Sequence, residues 1–141
     1  MTESLRHQRA RFAYERIREW PAPSARAAAA RAKGLPIQLR TQGLGTTVAM
    51  LTNQASDRDG PEDDAALLVG LLADWLLRES PRQPFGERER GDTAKNAREW
   101  RLELLDACCR SDRATYMAAQ AEALALLEEV KILTQALHGD D

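Results

Sequence analysis

The stretch "QLRTQGLGTTVAML", from Gln38 to Leu51, decides the fold because it carries two opposing signals. Apolar side chains in it and just before it recur at the spacing of one helix face: Ile37, Leu44, Val48 and Leu51. Gly43 and Gly45 nevertheless lie in its middle, and a glycine inside a helix costs roughly 0.5–1 kcal/mol relative to alanine. The spacing predicts one helix over residues 35–54, and the two glycines need a reason other than helix formation.

On both sides of this stretch, the apolar spacing predicts further helices and no strands. The predicted helices cover residues 3–20, 24–34, 35–54, 61–80, 94–110 and 113–139. Segment 61–80 begins with a proline and three acids, which suit a helix start, and is then almost continuously apolar. We expect it to be the central buried helix. The 141 residues are enough for one core, so the sequence predicts an all-α fold, a compact single-domain bundle of about five or six helices spanning residues 1–141.

Capping residues and apolar stripes give finer expectations for individual helices. A stripe with helical spacing predicts the core face of the first helix: Ala10, Ala13, Tyr14 and Ile17. Ser24 is the predicted N-cap of the second helix. Asp92 or Thr93 is predicted to cap the fifth helix. Ser111 or Asp112 is predicted to cap the last.

The formal net charge of -2 hides an uneven distribution of charge along the chain. Residues 1–40 contain nine arginines and lysines against three glutamates, a balance of +6, so the remaining residues carry -8. A basic segment of this kind can face nucleic acid or an acidic partner. It can also be a solvated surface balanced by the chain's own acidic half, and the charge alone leaves these possibilities open.

No group of side chains in the sequence predicts catalysis, a metal site or a cofactor site. Cys108 and Cys109 are adjacent and lack the C-x-x-C spacing of zinc and redox sites. His7 and His138 lie near opposite ends of the chain, and each is expected to be exposed near a helix terminus. The run "GLGTT" lacks the G-K-[ST] ending of a phosphate-binding loop, and no nucleophile, base and orienting group can be assembled. We therefore expect no catalytic activity and no cofactor.

Membrane insertion and secretion are not predicted either. No apolar run approaches the ~18 residues of a membrane span. The segment "MTESLRHQRARF" is polar and rich in arginine, without the apolar centre of a secretory signal. We expect a cytoplasmic protein that makes no contact with a membrane.

Three segments together resemble one protein family: "QRARFAYERI", "LPIQLRTQGLGTTVAML" and "YMAAQAEALALLEEVKILTQAL". They are similar to the small subunit of the Cmr complex, the type III-B CRISPR RNA-guided effector. The first segment matches an R-A-x-x-A-Y arrangement at Arg9, Ala10, Ala13 and Tyr14. The middle segment resembles the family signature N-G-L-G-x-T-x-A-F-L, whose positions are occupied here by Gln42, Gly43, Leu44, Gly45, Thr47, Ala49, Met50 and Leu51.

The chain departs from the family pattern at several positions. Gln42 stands where the family has asparagine, and Met50 stands where it has phenylalanine. Near the end of the chain, Glu129 and Ile132 replace a tryptophan and an arginine, which leaves Lys131 as the matching basic residue. These departures weaken a nucleic-acid role for the last helix and favour the N-terminal half.

The resemblance implies a subunit of an antiviral defence complex that has no catalytic activity of its own. In such complexes, several copies stack into a filament beside the backbone subunits, and together they line the channel that holds the guide RNA–target RNA duplex. Cutting of the target belongs to the backbone subunits, and the other nucleolytic and signalling chemistry belongs to the large subunit. The implied partners are the backbone and large Cmr subunits, guide RNA and target RNA, and further copies of the chain itself.

Candidate contacts with RNA or a partner follow from the resemblance together with the charge pattern. They are Arg9, Arg16, Arg26, Arg31, Lys33, Arg40, Thr41, Gln42, Thr46 and Lys131. Positive side chains suit contact with phosphates that does not depend on sequence, although Lys33 and Arg40 could equally be solvated surface. Gly43 and Gly45 would let another helix of the monomer pack closely, or would let RNA or a neighbouring subunit approach.

The alternative function is a helical DNA-binding regulator or adaptor. The run "AKGLP", residues 32–36, is short enough for the turn of a helix-turn-helix motif. The residues that follow it, Ile37, Gln38 and Leu39, make a poor surface for reading bases.

Overall fold

The computed structural model describes residues 4–56, 62–86 and 96–139, and these residues form helices without a strand. The helices are α1 (Leu5–Ile17), α2 (Ala22–Ala32), α3 (Leu35–Gln42), α4 (Leu44–Gln54), α5 (Asp64–Asp74), α6 (Ala97–Arg110) and α7 (Arg113–His138). A π-helical turn, Trp75–Glu79, continues α5. The predicted all-α class is confirmed. The described residues contain seven α-helices rather than five or six.

The difference in number arises at Gly43, where the predicted single helix over residues 35–54 is wrong. Gly43 has φ +89° and ψ 164°, a backbone conformation that side chains other than glycine rarely adopt, and it ends α3 and begins α4. The axis therefore changes direction between the two helices. Ile37 was expected on the same buried face as Leu44, but it is 63% exposed because the break separates the two faces.

Helix α5 lies at the centre of the bundle, as the sequence predicts. Asp63 caps it by accepting a hydrogen bond from the backbone N–H of Ala66 at 2.9 Å. Its buried side chains face α2, α4 and α6 and continue into the π-helical turn: Ala65, Ala66, Leu68, Val69, Leu71, Leu72, Ala73, Trp75, Leu76 and Leu77. A helix that is apolar on nearly all sides requires neighbours on all of them, and here it has them.

Helix α7 is the longest helix and packs along α1, α2 and α3. Asp112 caps it by accepting from the backbone N–H of Thr115 at 2.8 Å, so the second of the two predicted caps is the correct one. Helix α1 meets α7 through Ala13 and Ile17, both fully buried, whereas Tyr14 is 43% exposed. The prediction of Tyr14 as a core residue is wrong because the face that α1 buries is narrower than its apolar stripe.

One other predicted helix start differs from the structure, and the predicted start of the fifth helix cannot be compared with it. Helix α2 begins at Ala22, so the predicted cap Ser24 lies inside it. Pro23 is tolerated in the first turn because the N–H groups at the start of a helix have no partner within the helix. The predicted caps Asp92 and Thr93 lie outside the described residues. The described part of α6 begins after Asn96, whose side chain accepts from the backbone N–H of Glu99 at 2.8 Å.

Candidate interaction surfaces

The candidate arginine Arg9 binds a buried carboxylate of the same chain. Its Nε and Nη2 donate to the two carboxylate oxygens of Glu122 at 2.7 and 2.9 Å, and the Glu122 side chain is 4% exposed. The indole Nε1 of Trp75 donates to the same carboxylate at 2.8 Å. Three N–H groups, two from α1 and one from the π-helical turn, thus converge on one carboxylate, so this arginine has a structural partner in α7.

The pKa of Glu122 reflects this environment. Burial acts to raise it, but the hydrogen bonds from Arg9 and Trp75, together with the charges of Arg9 and Arg82, outweigh burial and hold the pKa of the carboxyl below its ordinary value. The hydrogen bond with Glu122 likewise raises the pKa of the Arg9 guanidinium. Both groups are therefore charged across the physiological pH range.

Three further candidate arginines also meet acids of the same chain. Arg16 pairs with Asp74, whose other carboxylate oxygen accepts from the indole N–H of Trp100 at 2.7 Å. Arg31 donates to Asp64 at 2.8 Å. Nη2 of exposed Arg40 in α3 lies 3.2 Å from Oε1 of exposed Glu128 in α7. An exposed ion pair of this kind contributes only about 0–1 kcal/mol to the free energy of unfolding. Much of the basic N-terminal charge is thus balanced by the chain's own acidic half, one of the possibilities left open by the charge pattern.

The remaining candidates are placed at or near the surface. Lys33 and Arg26 of the α2 region are exposed, and Arg26 takes part in a contact within the chain. Lys131 on α7 is half-buried. The structure does not bring these three side chains together with Arg9.

The candidates Thr41, Gln42 and Thr46 share one surface across the α3–α4 break. The hydroxyl of Thr41 donates to the carbonyl of Ile37 at 2.9 Å, and Nε2 of Gln38 donates to Oε1 of Gln42 at 3.3 Å. Gln38 also contacts the sulfur of Met50, which follows Thr46 by one helical turn. We call these six residues the α3–α4 surface: Ile37, Gln38, Thr41, Gln42, Thr46 and Met50. It is exposed except at half-buried Gln38, carries no charged side chain, and includes Ile37 at 63% exposure.

The reason for the two glycines lies inside the monomer. The first N–H groups of α4 have no partner within the helix, and α7 supplies acceptors. The backbone N–H of Leu44 donates to Gln120 at 2.9 Å, and that of Gly45 donates to the hydroxyl of Tyr116 at 2.8 Å. A Cβ at position 43 or 45 would lie 3.2 or 3.4 Å from this hydroxyl. Of the two explanations left open by the sequence, the described residues therefore support close packing within the monomer.

A pocket between α4 and α6 was not found by sequence reasoning. It has a volume of about 310 Å³ and is lined by Ala49, Thr52, Asn53, Ala55, Arg98 and Arg101. Arg101 is 3% exposed, and Arg98 lies at the exposed rim. Their separation by three residues places both arginines on one face of α6, which the sequence could have shown; the facing residues of α4 are known only from the fold. We call this cavity the α4–α6 pocket.

The cysteines and histidines form no shared site. Cys108 is buried and Cys109 is exposed, and burial, followed by the neighbouring thiol, raises the pKa of Cys108 to about 12. His7 is exposed, as expected, but His138 is half-buried, and its Nε2 lies 2.8 Å from the carbonyl oxygen of Ile17. Among the residues that the structure describes, no group of three potential metal ligands is found. In the same part of the chain, no helix is long and apolar enough to cross a membrane.

Comparison with protein families adds the decisive observation. The model of the family described as "CRISPR-associated protein (Cas_Cmr5)" matches the chain over residues 5–137. The chain belongs to the Cas_Cmr5 family. It is thus a CRISPR-associated Cmr small subunit of type III-B systems, and the resemblance inferred from the sequence is confirmed. No curated protein and no solved structure matches the chain at a significant level.

Proposed function

We propose that this Cas_Cmr5 family member is a non-catalytic, cytoplasmic subunit that provides helical surface to a type III-B effector complex. In this proposal, copies of the chain stack beside the backbone subunits and help to hold the guide RNA–target RNA duplex during antiviral defence. The partners are the backbone and large subunits, guide and target RNA, and further copies of the chain.

The observation that supports this proposal best is the contrast between two parts of the molecule. Arg9, Arg16 and Arg31 pair with carboxylates of the same chain, whereas the α3–α4 surface presents neutral and apolar side chains to solvent. Neutral exposed surface with a large apolar side chain suits contact with another protein, since few charges have to lose their water. We therefore propose that the α3–α4 surface, including Thr41, Gln42 and Thr46, binds a neighbouring subunit.

The test is co-purification of the chain with the other Cmr subunits and guide RNA, carried out with Ile37→Lys. Ile132→Lys on α7 is the matched control, because Ile132 is 62% exposed and Ile37 is 63% exposed. Both variants add one charge at an exposed apolar position, so neither should unfold the monomer. We expect wild type and Ile132→Lys to be incorporated and Ile37→Lys to be largely lost from the complex.

The outcomes separate the parts of the proposal. If the wild-type chain does not co-purify with the other subunits, the proposed role in the complex is wrong. If Ile37→Lys is incorporated as well as wild type, or if both variants are lost equally, the assignment of the α3–α4 surface is wrong. The non-catalytic role is tested by incubating the purified chain with labelled RNA and divalent cations, where we expect no cleavage.

A further inference from the structure

We propose that α1 is a detachable strap: it leaves and rejoins the bundle as one unit while α2–α7 remain folded. This inference does not depend on the proposed function, because it concerns how the chain is held together. Two features of α1 support it. Hydrogen-bonded ion pairs attach α1 to acids of other helices, and few of its side chains enter the buried core.

Arg9, Glu122 and Trp75 form what we call the first clamp on α1. The guanidinium donates to both carboxylate oxygens at 2.7 and 2.9 Å, and the indole N–H donates to one of them at 2.8 Å. Charge-assisted, bidentate hydrogen bonds of this kind are among the strong ones in proteins. Phe12 packs beside the clamp, with its ring centroid 4.9 Å from that of Trp75. The first clamp therefore fixes α1 to α7 and to the π-helical turn.

Arg16, Asp74 and Trp100 form the second clamp. Arg16 follows Arg9 by seven residues and so lies on the same face of α1, two helical turns further on. Its guanidinium pairs with one oxygen of Asp74, and the other oxygen accepts from the indole N–H of Trp100 at 2.7 Å. Both clamps have one arrangement, in which an arginine of α1 and an indole N–H bind a shared carboxylate, and together they hold α1 at two points.

The apolar contribution of α1 to the core is small. Among the described residues of α1, Ala13 and Ile17 belong to the buried core, whereas Leu5 and Phe12 are partly buried and pack against it. Helix α5, by contrast, is buried along most of its length. Segments with few buried apolar contacts open at a lower free energy than the core does, often as contiguous units. We therefore expect α1 to open before the core.

Two other contacts add to the attachment of α1. Nε2 of His138 lies 2.8 Å from the carbonyl oxygen of Ile17, at the last turn of α1. Nε of Arg6 lies 3.3 Å from Oε1 of Glu129, but the Arg6 side chain is 84% exposed, so this ion pair contributes little. The clamps thus remain the strongest polar contacts named for this helix.

Detachment of α1 does not leave a buried charge behind. It returns both clamp carboxylates to water, so neither stays buried without its cation. Residues 18–21 join α1 to α2, and this short connection keeps the detached segment close to the bundle. A helix of 13 residues is marginally stable alone in water. Detached α1 therefore loses its helix, and its backbone N–H groups exchange with solvent together.

The test is amide hydrogen exchange of the full-length chain at pH 7, read by mass spectrometry of peptic fragments. Arg9→Ala and Arg16→Ala each remove the cation of one clamp. Arg18→Ala is the matched control, because the Arg18 guanidinium contacts Glu19 and the ring of Tyr14, both close to it in the chain. Circular dichroism checks that each variant is folded.

In wild type, we expect the amides of α1 to exchange at least about tenfold faster than those of α5, since detachment exposes only the former. Arg9→Ala should speed the exchange of α1 by about 10- to 100-fold, as for loss of a charged hydrogen bond. Arg16→Ala should act in the same direction by a smaller factor, because its side chain is 41% exposed. Arg18→Ala should change the rate by less than about twofold.

Val48→Ala separates detachment of α1 from unfolding of the whole chain. Val48 is fully buried in α4 and stays in the core when α1 leaves, so its truncation weakens the attached and detached forms equally. We expect α5 to exchange about tenfold faster in this variant, and α1 to exchange at the wild-type rate. This comparison needs no clamp variant, so it holds even where removal of Arg9 prevents folding.

Three results would overturn the inference. If α1 and α5 exchange at the same rate in wild type, α1 opens only when the whole chain unfolds. The same conclusion follows if Val48→Ala speeds the exchange of both helices by one factor. If Arg16→Ala and Arg18→Ala have equal effects on α1 and Arg9→Ala adds nothing to them, the clamps do not hold α1 on the bundle.

Discussion

Gly43→Ala is the substitution that most directly tests how this chain turns between α3 and α4. The backbone at Gly43 has φ +89° and ψ 164°, a region that is essentially limited to glycine. Placing alanine there costs about 1–3 kcal/mol. The added Cβ would also lie 3.2 Å from the hydroxyl of Tyr116, which accepts the hydrogen bond from the N–H of Gly45.

The expected loss in the free energy of unfolding is the sum of a backbone contribution and a hydrogen-bond contribution. Displacement of the Tyr116 hydroxyl would weaken a hydrogen bond that contributes about 0.5–1.5 kcal/mol. Together with the backbone conformation, we expect Gly43→Ala to lower the free energy of unfolding by about 2–4 kcal/mol. Gly70→Ala is the matched control, since Gly70 lies inside α5 and a Cβ there would meet nothing within 4 Å. That substitution should stabilise the chain by about 0.5–1 kcal/mol, because alanine is the better helix former.

The assay is urea unfolding at neutral pH, followed by tryptophan fluorescence and by circular dichroism at 222 nm. The two substitutions should shift the midpoint in opposite directions with unchanged m-values. A change of less than about 0.5 kcal/mol for Gly43→Ala would show that the backbone break is not where the structure has it. Equal effects of both substitutions would refute the reasoning in the same way.

Three further predictions concern contacts around α6 and α7. Tyr116→Phe should destabilise the chain by about 0.5–1.5 kcal/mol in the same unfolding assay, because it removes the acceptor for the N–H of Gly45. Glu122→Gln should lower the free energy of unfolding by about 3 kcal/mol at neutral pH, since it leaves the paired guanidinium without its anion. The lowered pKa of Glu122 means that its contribution is complete above the ordinary value of 4.5 and is lost as pH falls through the lower folded-state pKa. Unfolding measured from pH 7 to pH 3 should therefore show a smaller loss of stability in Glu122→Gln than in wild type. Equal losses of stability in the two proteins over this pH range would contradict the prediction. Finally, exposed Cys109 should react with a thiol reagent at pH 8 in the folded chain, whereas Cys108, with a pKa of about 12, should react only in urea. Rapid reaction of both thiols without urea would disprove this prediction.

The fold could be predicted largely from the sequence because helix formation depends on residues close together in the chain. A nearly continuous apolar run predicted the central position of α5, and a capping residue at Ser111 or Asp112 predicted the start of α7, which the structure places after Asp112. The break at Gly43 was not predicted. Glycine tolerates both helical and left-handed backbone conformations, and contacts with Tyr116 and Gln120 of α7 accompany the second one here.

The candidate site depended much more on the tertiary structure. Arginines in the N-terminal third suggested a basic surface, but their carboxylate partners lie far along the chain, 113 residues away in the pair of Arg9 and Glu122. Whether such a charge faces solvent or a buried acid depends on how helices pack, which local sequence does not determine. For the same reason, only the fold brings Asn53 of α4 to the α6 residues Arg98 and Arg101. The sequence by itself determined the all-α class, the central position of α5 and the family. The packing of α4 and α7 against their neighbours decided which charges are satisfied and where a pocket remains.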